Sequence, residues 1–123
     1  LDVVYNHFGP TDMDLWQFDG WSENGKGGIY FYNDWRSSTP WGDTRPDYGR
    51  AEVQQYIRDN AMMWLDEYHL DGLRMDMVPY IRNVHADENP DNNLEEGFNL
   101  IRRINGEIRE KYPWKFTIAE DLH

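Results

Sequence analysis

An arginine, an aspartate and a glutamate in the second half of the chain have the types and the spacing of a catalytic site. Arg74 and Asp76 lie two residues apart within an apolar segment, residues 71–78, and Glu120 follows another apolar run, residues 116–119. On a strand, side chains two residues apart point to the same face. Arg74 would therefore keep the Asp76 carboxylate ionised and hold it by charge-assisted hydrogen bonds. Such a carboxylate suits attack on an anomeric carbon, and a glutamic acid in an enclosed, largely apolar site can act as the general acid.

Each of these carboxylates also has a plainer interpretation. Arg74 and Asp76 could form a structural ion pair, and Glu120 could be a solvated residue at the start of a loop. The strand context and the presence of a second carboxylate favour the catalytic interpretation. If the two carboxyl groups are about 5–5.5 Å apart, the expected chemistry is a retaining double displacement.

Further polar residues close the first apolar segment, residues 1–7. Asn6 and His7 could hydrogen-bond sugar hydroxyls beside the nucleophile, and Asp2 could anchor the strand. An Asn-His pair on its own is more often a turn or a cap than a ligand site. His123 follows the last apolar run closely enough to line the same cleft.

Aromatic side chains are concentrated in residues 8–48, which hold more than half of those in the chain. Such rings stack on the apolar faces of pyranose rings, so an aromatic-rich lid would suit an oligosaccharide. They could equally pack a loop that has no regular structure. Trp35 and Trp41 flank polar turns and are our candidates for substrate contact.

Three strand-like runs alternate with two helical patterns, which predicts βαβ units and a parallel sheet. The first helix begins near Ala51, with Asp47 or Gly49 as its cap. Its apolar face is formed by Val53, Ile57, Ala61, Trp64 and Tyr68. The second helix ends before Pro113. Its apolar face is formed by Leu94, Phe98, Ile101, Ile104, Ile108 and Tyr112.

Polar residues follow the carboxyl end of each predicted strand, and these ends meet at one edge of a parallel sheet. A (β/α)8 TIM barrel builds its active site in this way. Since a complete barrel needs roughly 250 residues, the 123 residues are expected to be an α/β segment of a single barrel catalytic domain, 1–123. Residues 8–48 would then be an insertion loop after its first strand, and the remainder of the barrel would lie outside this chain.

The net charge of -11 and the pI near 4.6 disfavour a nucleic acid or an anionic membrane as partner, and they suit a neutral sugar. No apolar run approaches the roughly 20 residues needed to span a bilayer. The chain has no cysteine, which mildly favours a reducing compartment such as the cytoplasm.

With these residues in place, the chain strongly resembles the α-amylase family, glycoside hydrolase family 13. Residues 1–7, 71–78 and 118–121 resemble the first three conserved regions of that family, in order. The resemblance implies that the three strands are strands three to five of the barrel. It also implies the roles of five residues: Asp76 as nucleophile, Glu120 as general acid/base, Arg74 orienting the nucleophile, and Asn6 and His7 lining the sugar subsite.

The resemblance implies an enzyme acting on α-1,4-glucosidic bonds of a glycogen- or starch-type glucan. The amino-acid sequence of residues 5–10 and 64–72 is similar to that of glycogen-branching and trehalose-releasing members. Hydrolysis and branching both stay open as reactions. No cofactor is required by the resemblance. Calcium is possible, because Asn6 resembles a calcium ligand of classical amylases.

The chain departs from the family pattern at two points. The fourth region, with the third catalytic carboxylate, is absent and would lie beyond residue 123. Residues 77–80, Met-Val-Pro-Tyr, replace a Lys-His pair found in many α-amylases. Two rival hypotheses stay open: a metal-dependent barrel enzyme, which Arg74 disfavours, and a non-catalytic relative, which the two retained carboxylates disfavour.

Overall fold

In a computed structural model, which describes residues 1–9 and 13–122, the three predicted runs form one parallel sheet. The strands are β1 (Asp2–Val3), β2 (Gly72–Met75) and β3 (Phe116–Ala119), in the order β1-β2-β3. Asp2 lies opposite Arg74 in the sheet, and Arg74 lies opposite Ile118. Because all three strands run in the same direction, their carboxyl ends meet at one edge, as the sequence predicted.

Within the described residues three α-helices accompany the sheet: α1 (Ala51–Asp66), α2 (Pro79–Arg82) and α3 (Glu95–Lys111). The start of α1 at Ala51 and the end of α3 before Pro113 confirm the sequence predictions. No helix in the described part of the chain is long and apolar enough to cross a membrane.

The buried face of α1 differs from the predicted one in its second half. Its buried residues are Val53, Ile57, Ala61, Met62 and Leu65. Tyr68 lies beyond the helix end and is exposed, because the buried stripe continues at four-residue steps to Leu65. The predicted caps are also wrong: the cap residue is Arg50, and Asp47 instead accepts hydrogen bonds from Gly49 N at 3.0 Å and Arg50 Nε at 3.1 Å.

The predicted apolar face of α3 is confirmed apart from one position. Phe98 is exposed, whereas Gly97 and Leu100 take part in the packing of the helix. Leu94 is buried just before the helix begins, and Tyr112 caps its end. Together α1 and α3 enclose the apolar core on the side of the sheet that contains Leu73.

The described residues of the segment 8–48, namely 8–9 and 13–48, are irregular, as predicted. Its only helical element in the described residues is a 3-10 turn, Trp35–Ser37. The segment is fixed from inside by Arg45, which is fully buried and donates only to backbone carbonyls. Its acceptors are Arg36 O at 2.7 Å, Ser38 O at 2.6 Å, Val84 O at 2.8 Å and Tyr80 O.

The three strands differ in burial, since β3 is mostly exposed and β1 is half exposed. Only β2, which has a neighbour on each side, is almost fully buried. On β3 the side chains of Phe116 and Ile118 are 54% and 55% exposed, because they lie on the Arg74 face of the sheet, away from the core that covers the Leu73 face. An open sheet edge with apolar side chains is prone to pair with other chains.

We therefore expect residues 1–123, expressed alone, to be poorly stable and inactive. The exposed apolar face of β3 and the free edges of β1 and β3 should cause dye binding and aggregation. Thermal unfolding followed by circular dichroism should show no cooperative transition, while the full-length protein serves as the folded control. A sharp transition together with measurable amylose turnover by the segment would contradict this expectation.

Candidate active site

Arg74 lies at the centre of the site, at the carboxyl edge of the sheet. It is the third residue of β2, and Asp76 follows directly after that strand. One guanidinium nitrogen, Nη1, is 3.2 Å from Asp76 Oδ1, and the other, Nη2, is 2.6 Å from Glu120 Oε2. Asp2, on the neighbouring strand, lies 3.5 Å from Nη1. One cation thus bridges the two carboxylates that the sequence singled out.

Glu120 is held at the tip of β3 by the backbone that follows β2. Its backbone N donates to Met75 O at 2.9 Å, and its Oε2 accepts from Met77 N at 3.1 Å. Met77 has a φ of 41°, a conformation that is costly for a residue with a side chain. Val78 N also donates to Glu120 O at 3.0 Å. The turn after Asp76 therefore wraps around Glu120 and fixes it next to the aspartate.

The surroundings of Glu120 differ from those expected. Its side chain is only 22% exposed, but it faces a guanidinium and a backbone N–H rather than apolar groups. The expectation of a largely apolar pocket around this residue is wrong, because Arg74 reaches across from β2.

Asn6 and His7 lie directly beside Asp76. Asn6 is fully buried, and its Nδ2 donates to Asp76 O at 2.9 Å and to Asp76 Oδ2 at 3.1 Å. Its Oδ1 is 2.6 Å from His7 Nδ1. Burial lowers the pKa of His7, although the nearby Asp76 carboxylate opposes this shift. Asn6 is thus a neighbour of the carboxylate rather than an exposed ligand for sugar.

The two candidate tryptophans take different positions. The Trp41 ring stacks on His7, with centroids 4.8 Å apart and planes at 10°, and contacts Tyr80 edge-on at 5.4 Å. Trp35 is 54% exposed and lies 6.4 Å from the ring of His85, outside this cluster. His123 lies outside the described residues.

Tyr80 was missed by the sequence reasoning. It lies on α2, four residues after Asp76, within the stretch that replaces the Lys-His pair. That replacement was the signal available in the sequence, but it could not show that the new side chain would contact a tryptophan from the distant irregular segment.

The polar side chains of the site contact one another. The Asn6 amide is engaged at both ends: its nitrogen donates to Asp76, and its oxygen lies 2.6 Å from His7 Nδ1. The space between Asp76 and Glu120 holds the cation of Arg74. In residues 1–9 and 13–122 there is no group of three or more His, Cys, Asp or Glu that could hold a metal.

At the carboxyl ends of its parallel strands, the sheet carries an aspartate and a glutamate that are bridged by an arginine. This arrangement places the chain among α/β proteins with paired carboxylates. The chain is 37% identical to a 1,4-alpha-glucan branching enzyme GlgB of Oceanobacillus iheyensis over 98% of its length, and 34% identical to one of Aquifex aeolicus over 98%. Among solved structures it is similar to one described as "Putative alpha Amylase from Salmonella typhimurium", with a TM-score of 0.65 and 29% identity over 97% of this chain. No protein-family model matches the chain.

Over nearly its whole length the chain is thus homologous to branching enzymes of the α-amylase family, glycoside hydrolase family 13, at 30–37% identity. It spans about one fifth of the length of the two branching enzymes, 20% in each case. It covers 17% of the Salmonella protein.

Proposed function

We propose that the chain is part of the catalytic (β/α)8 barrel of an enzyme that acts on α-1,4-glucans. In this proposal β1, β2 and β3 are barrel strands three to five, residues 1–123 belong to one domain, and residues 8–48 are an insertion after β1. The parallel order of the strands and the names of the relatives support it. The exposed apolar face of β3 is where the rest of the barrel would pack.

The observation that carries the proposed chemistry is the bridge from Arg74 to both carboxylates, at 3.2 Å to Asp76 and 2.6 Å to Glu120. Asp76 attacks the anomeric carbon of the donor sugar, forming a glycosyl ester, while Glu120 gives a proton to the departing glycosidic oxygen. The Glu120 carboxylate then takes a proton from the acceptor hydroxyl, which attacks the same carbon and releases Asp76. The anomeric configuration is retained because two displacements occur.

This cycle requires Glu120 to carry a proton when the donor is bound. A substrate that enters between the two carboxylates would displace the contact between Arg74 and Glu120. The guanidinium would then contact only Asp76 and Asp2, and it would hold the nucleophile by a charge-assisted hydrogen bond.

The sugar beside the nucleophile would contact His7, and the ring of Trp41 would extend the wall of the subsite. Trp35 would meet only a more distant part of a long glucan, because it packs away from the carboxylates. No step passes through a metal, since the Arg74 guanidinium supplies the positive charge.

The acceptor decides between branching and hydrolysis. The relatives named as branching enzymes favour a sugar hydroxyl as acceptor. We expect the full-length protein to form α-1,6 linkages in amylose with little new reducing sugar, measured by debranching analysis and by a reducing-end assay on the same samples. Reducing ends that rise without α-1,6 linkages would contradict branching and support an amylase. Glucan binding without either product would contradict an enzyme and support a non-catalytic relative.

A further inference from the structure

Through hydrogen bonds, the side-chain amide of Asn6 connects Asp76 and His7, which are not hydrogen-bonded to each other. Its nitrogen faces the backbone carbonyl and the carboxylate of Asp76, at 2.9 and 3.1 Å, and its oxygen faces His7 Nδ1 at 2.6 Å. With Asn6 fully buried, no water competes for these contacts. Every hydrogen-bonding atom of the amide is engaged.

The orientation of this amide follows from its partners. The carbonyl oxygen and the carboxylate oxygen of Asp76 are acceptors, so only an NH₂ group can face both of them. A flipped amide would set its oxygen against two acceptors in a buried place, which is costly. The oxygen of Asn6 must therefore point to His7, and a hydrogen bond at that position requires the proton to be on Nδ1.

The location of the proton on Nδ1 determines the chemistry of the other imidazole nitrogen. In a neutral imidazole with Nδ1 protonated, Nε2 has a free lone pair and accepts hydrogen bonds. Within residues 1–9 and 13–122 no partner contacts Nε2. The stacked Trp41 ring covers one face of the imidazole, so a ligand would meet His7 at its edge.

The segment that holds Asn6 is rigidly placed by residues 44–48. The buried Tyr48 hydroxyl donates to Tyr5 O at 2.6 Å. Phe8 N donates to Thr44 O at 2.9 Å, and the hydroxyl of Thr44 donates back to Phe8 O at 2.8 Å. Hydrogen bonds on both sides thus keep Asn6 and His7 in register with Asp76.

We propose that Asn6 is a positioning residue: it anchors Oδ2 of Asp76 and, through the same amide, fixes His7 as the Nδ1–H tautomer, so that Nε2 accepts a hydrogen bond from a hydroxyl of the bound sugar. Arg74 anchors the other carboxylate oxygen, Oδ1. The two residues together orient the nucleophile. This inference rests on the proposed function for the identity of the ligand and for the role of Asp76 as nucleophile, whereas the tautomer follows from the geometry alone.

The tautomer can be measured without any catalytic assay. Full-length protein labelled with 15N-histidine would be studied by two-bond 1H–15N correlation at neutral pH, and the His7 signals would be assigned by their loss in His7→Gln. We expect the pattern of a neutral ring protonated at Nδ1, and a mixture of tautomers in Asn6→Ala. An Nε2–H ring in the wild type would overturn the proposal.

Two substitutions separate the two contacts of Asn6. Asn6→Asp keeps an acceptor for His7 but replaces the donor to Asp76 by a second carboxylate, so the tautomer should persist while kcat falls about ten- to a hundredfold, the effect of losing a hydrogen bond to a charged group. Asn6→Ala should lose both the tautomer and a similar factor in kcat. Asn105→Asp, on α3, keeps its acceptor for the Thr117 hydroxyl and should change neither readout.

A purely structural role for Asn6 would give a different result. It would lower the melting temperature and the fraction of active enzyme but leave kcat per active site unchanged, with sites counted by trapping a fluorinated glycosyl on Asp76. Normal turnover per site in both Asn6 variants would overturn the positioning role. Failure of the proposed function would appear separately, as a wild type that neither cleaves nor transfers glucan while its His7 tautomer remains as expected.

Discussion

Replacing Asp76 by asparagine in the full-length enzyme is expected to lower kcat by several orders of magnitude, roughly 10⁴-fold or more, as the loss of a catalytic nucleophile does in other enzymes. An amide oxygen is too weak a nucleophile to form the glycosyl intermediate. It still accepts a hydrogen bond, so the contacts with Arg74 and Asn6 are partly kept. The fold and the affinity for glucan should therefore change little. Steady-state kinetics on amylose and a binding isotherm for a glucan oligosaccharide measure the two quantities.

Asp66→Asn is a matched control for this substitution. Asp66 is exposed at the end of α1, at the edge of the sheet opposite the strand tips. It should leave both kcat and glucan affinity unchanged. If Asp76→Asn kept more than a small fraction of wild-type turnover, the assignment of the nucleophile would be wrong.

Replacing Arg45 by methionine is expected to cost roughly 3–5 kcal/mol in the free energy of unfolding. Four backbone carbonyls accept from this guanidinium, and each buried carbonyl left without a donor costs about 1 kcal/mol or more. Burial lowers the pKa of Arg45, and no acidic side chain pairs with it in the described residues. The cation is kept because carbonyls of two separate segments, residues 36–38 and 80–84, surround it. Denaturant unfolding of the full-length enzyme, followed by fluorescence, measures the loss.

Two further variants test the reason for this effect. Arg45→Lys keeps the charge but places all its donors on a single nitrogen. That nitrogen cannot reach the four carbonyls, which are spread around the planar guanidinium of Arg45. The Arg45→Lys protein should therefore lose a large part of the stability that Arg45→Met loses. Arg102→Met removes an exposed arginine of α3 that lies over Phe98, and it should change stability by no more than about 0.5 kcal/mol. A fully stable Arg45→Met protein would show that the four hydrogen bonds do not support the fold.

Much of the fold followed from local patterns. The alternation of apolar runs and helical periodicity predicted the parallel sheet, and the bounds of β3 and the start of α1 were located correctly. The buried face of α1 was misplaced because spacings of three and four residues leave two neighbouring stripes open, and only contact with α3 selects one of them. The exposure of β3 could not be derived from its apolar residues, since burial depends on which elements cover a strand.

At the site, the residue types alone indicated the chemistry. Arg74 and Asp76 share a face because a strand has a period of two, and Glu120 lies beside them because parallel strands end at one edge. The spacing of residues along the sequence could not predict which side chains from distant segments contact one another. The bridge of Arg74 to Glu120, the Asn6 amide between Asp76 and His7, and the contact of Trp41 with Tyr80 join segments far apart in the sequence. These contacts depend on how strands and loops pack in three dimensions, and no local periodicity encodes that packing.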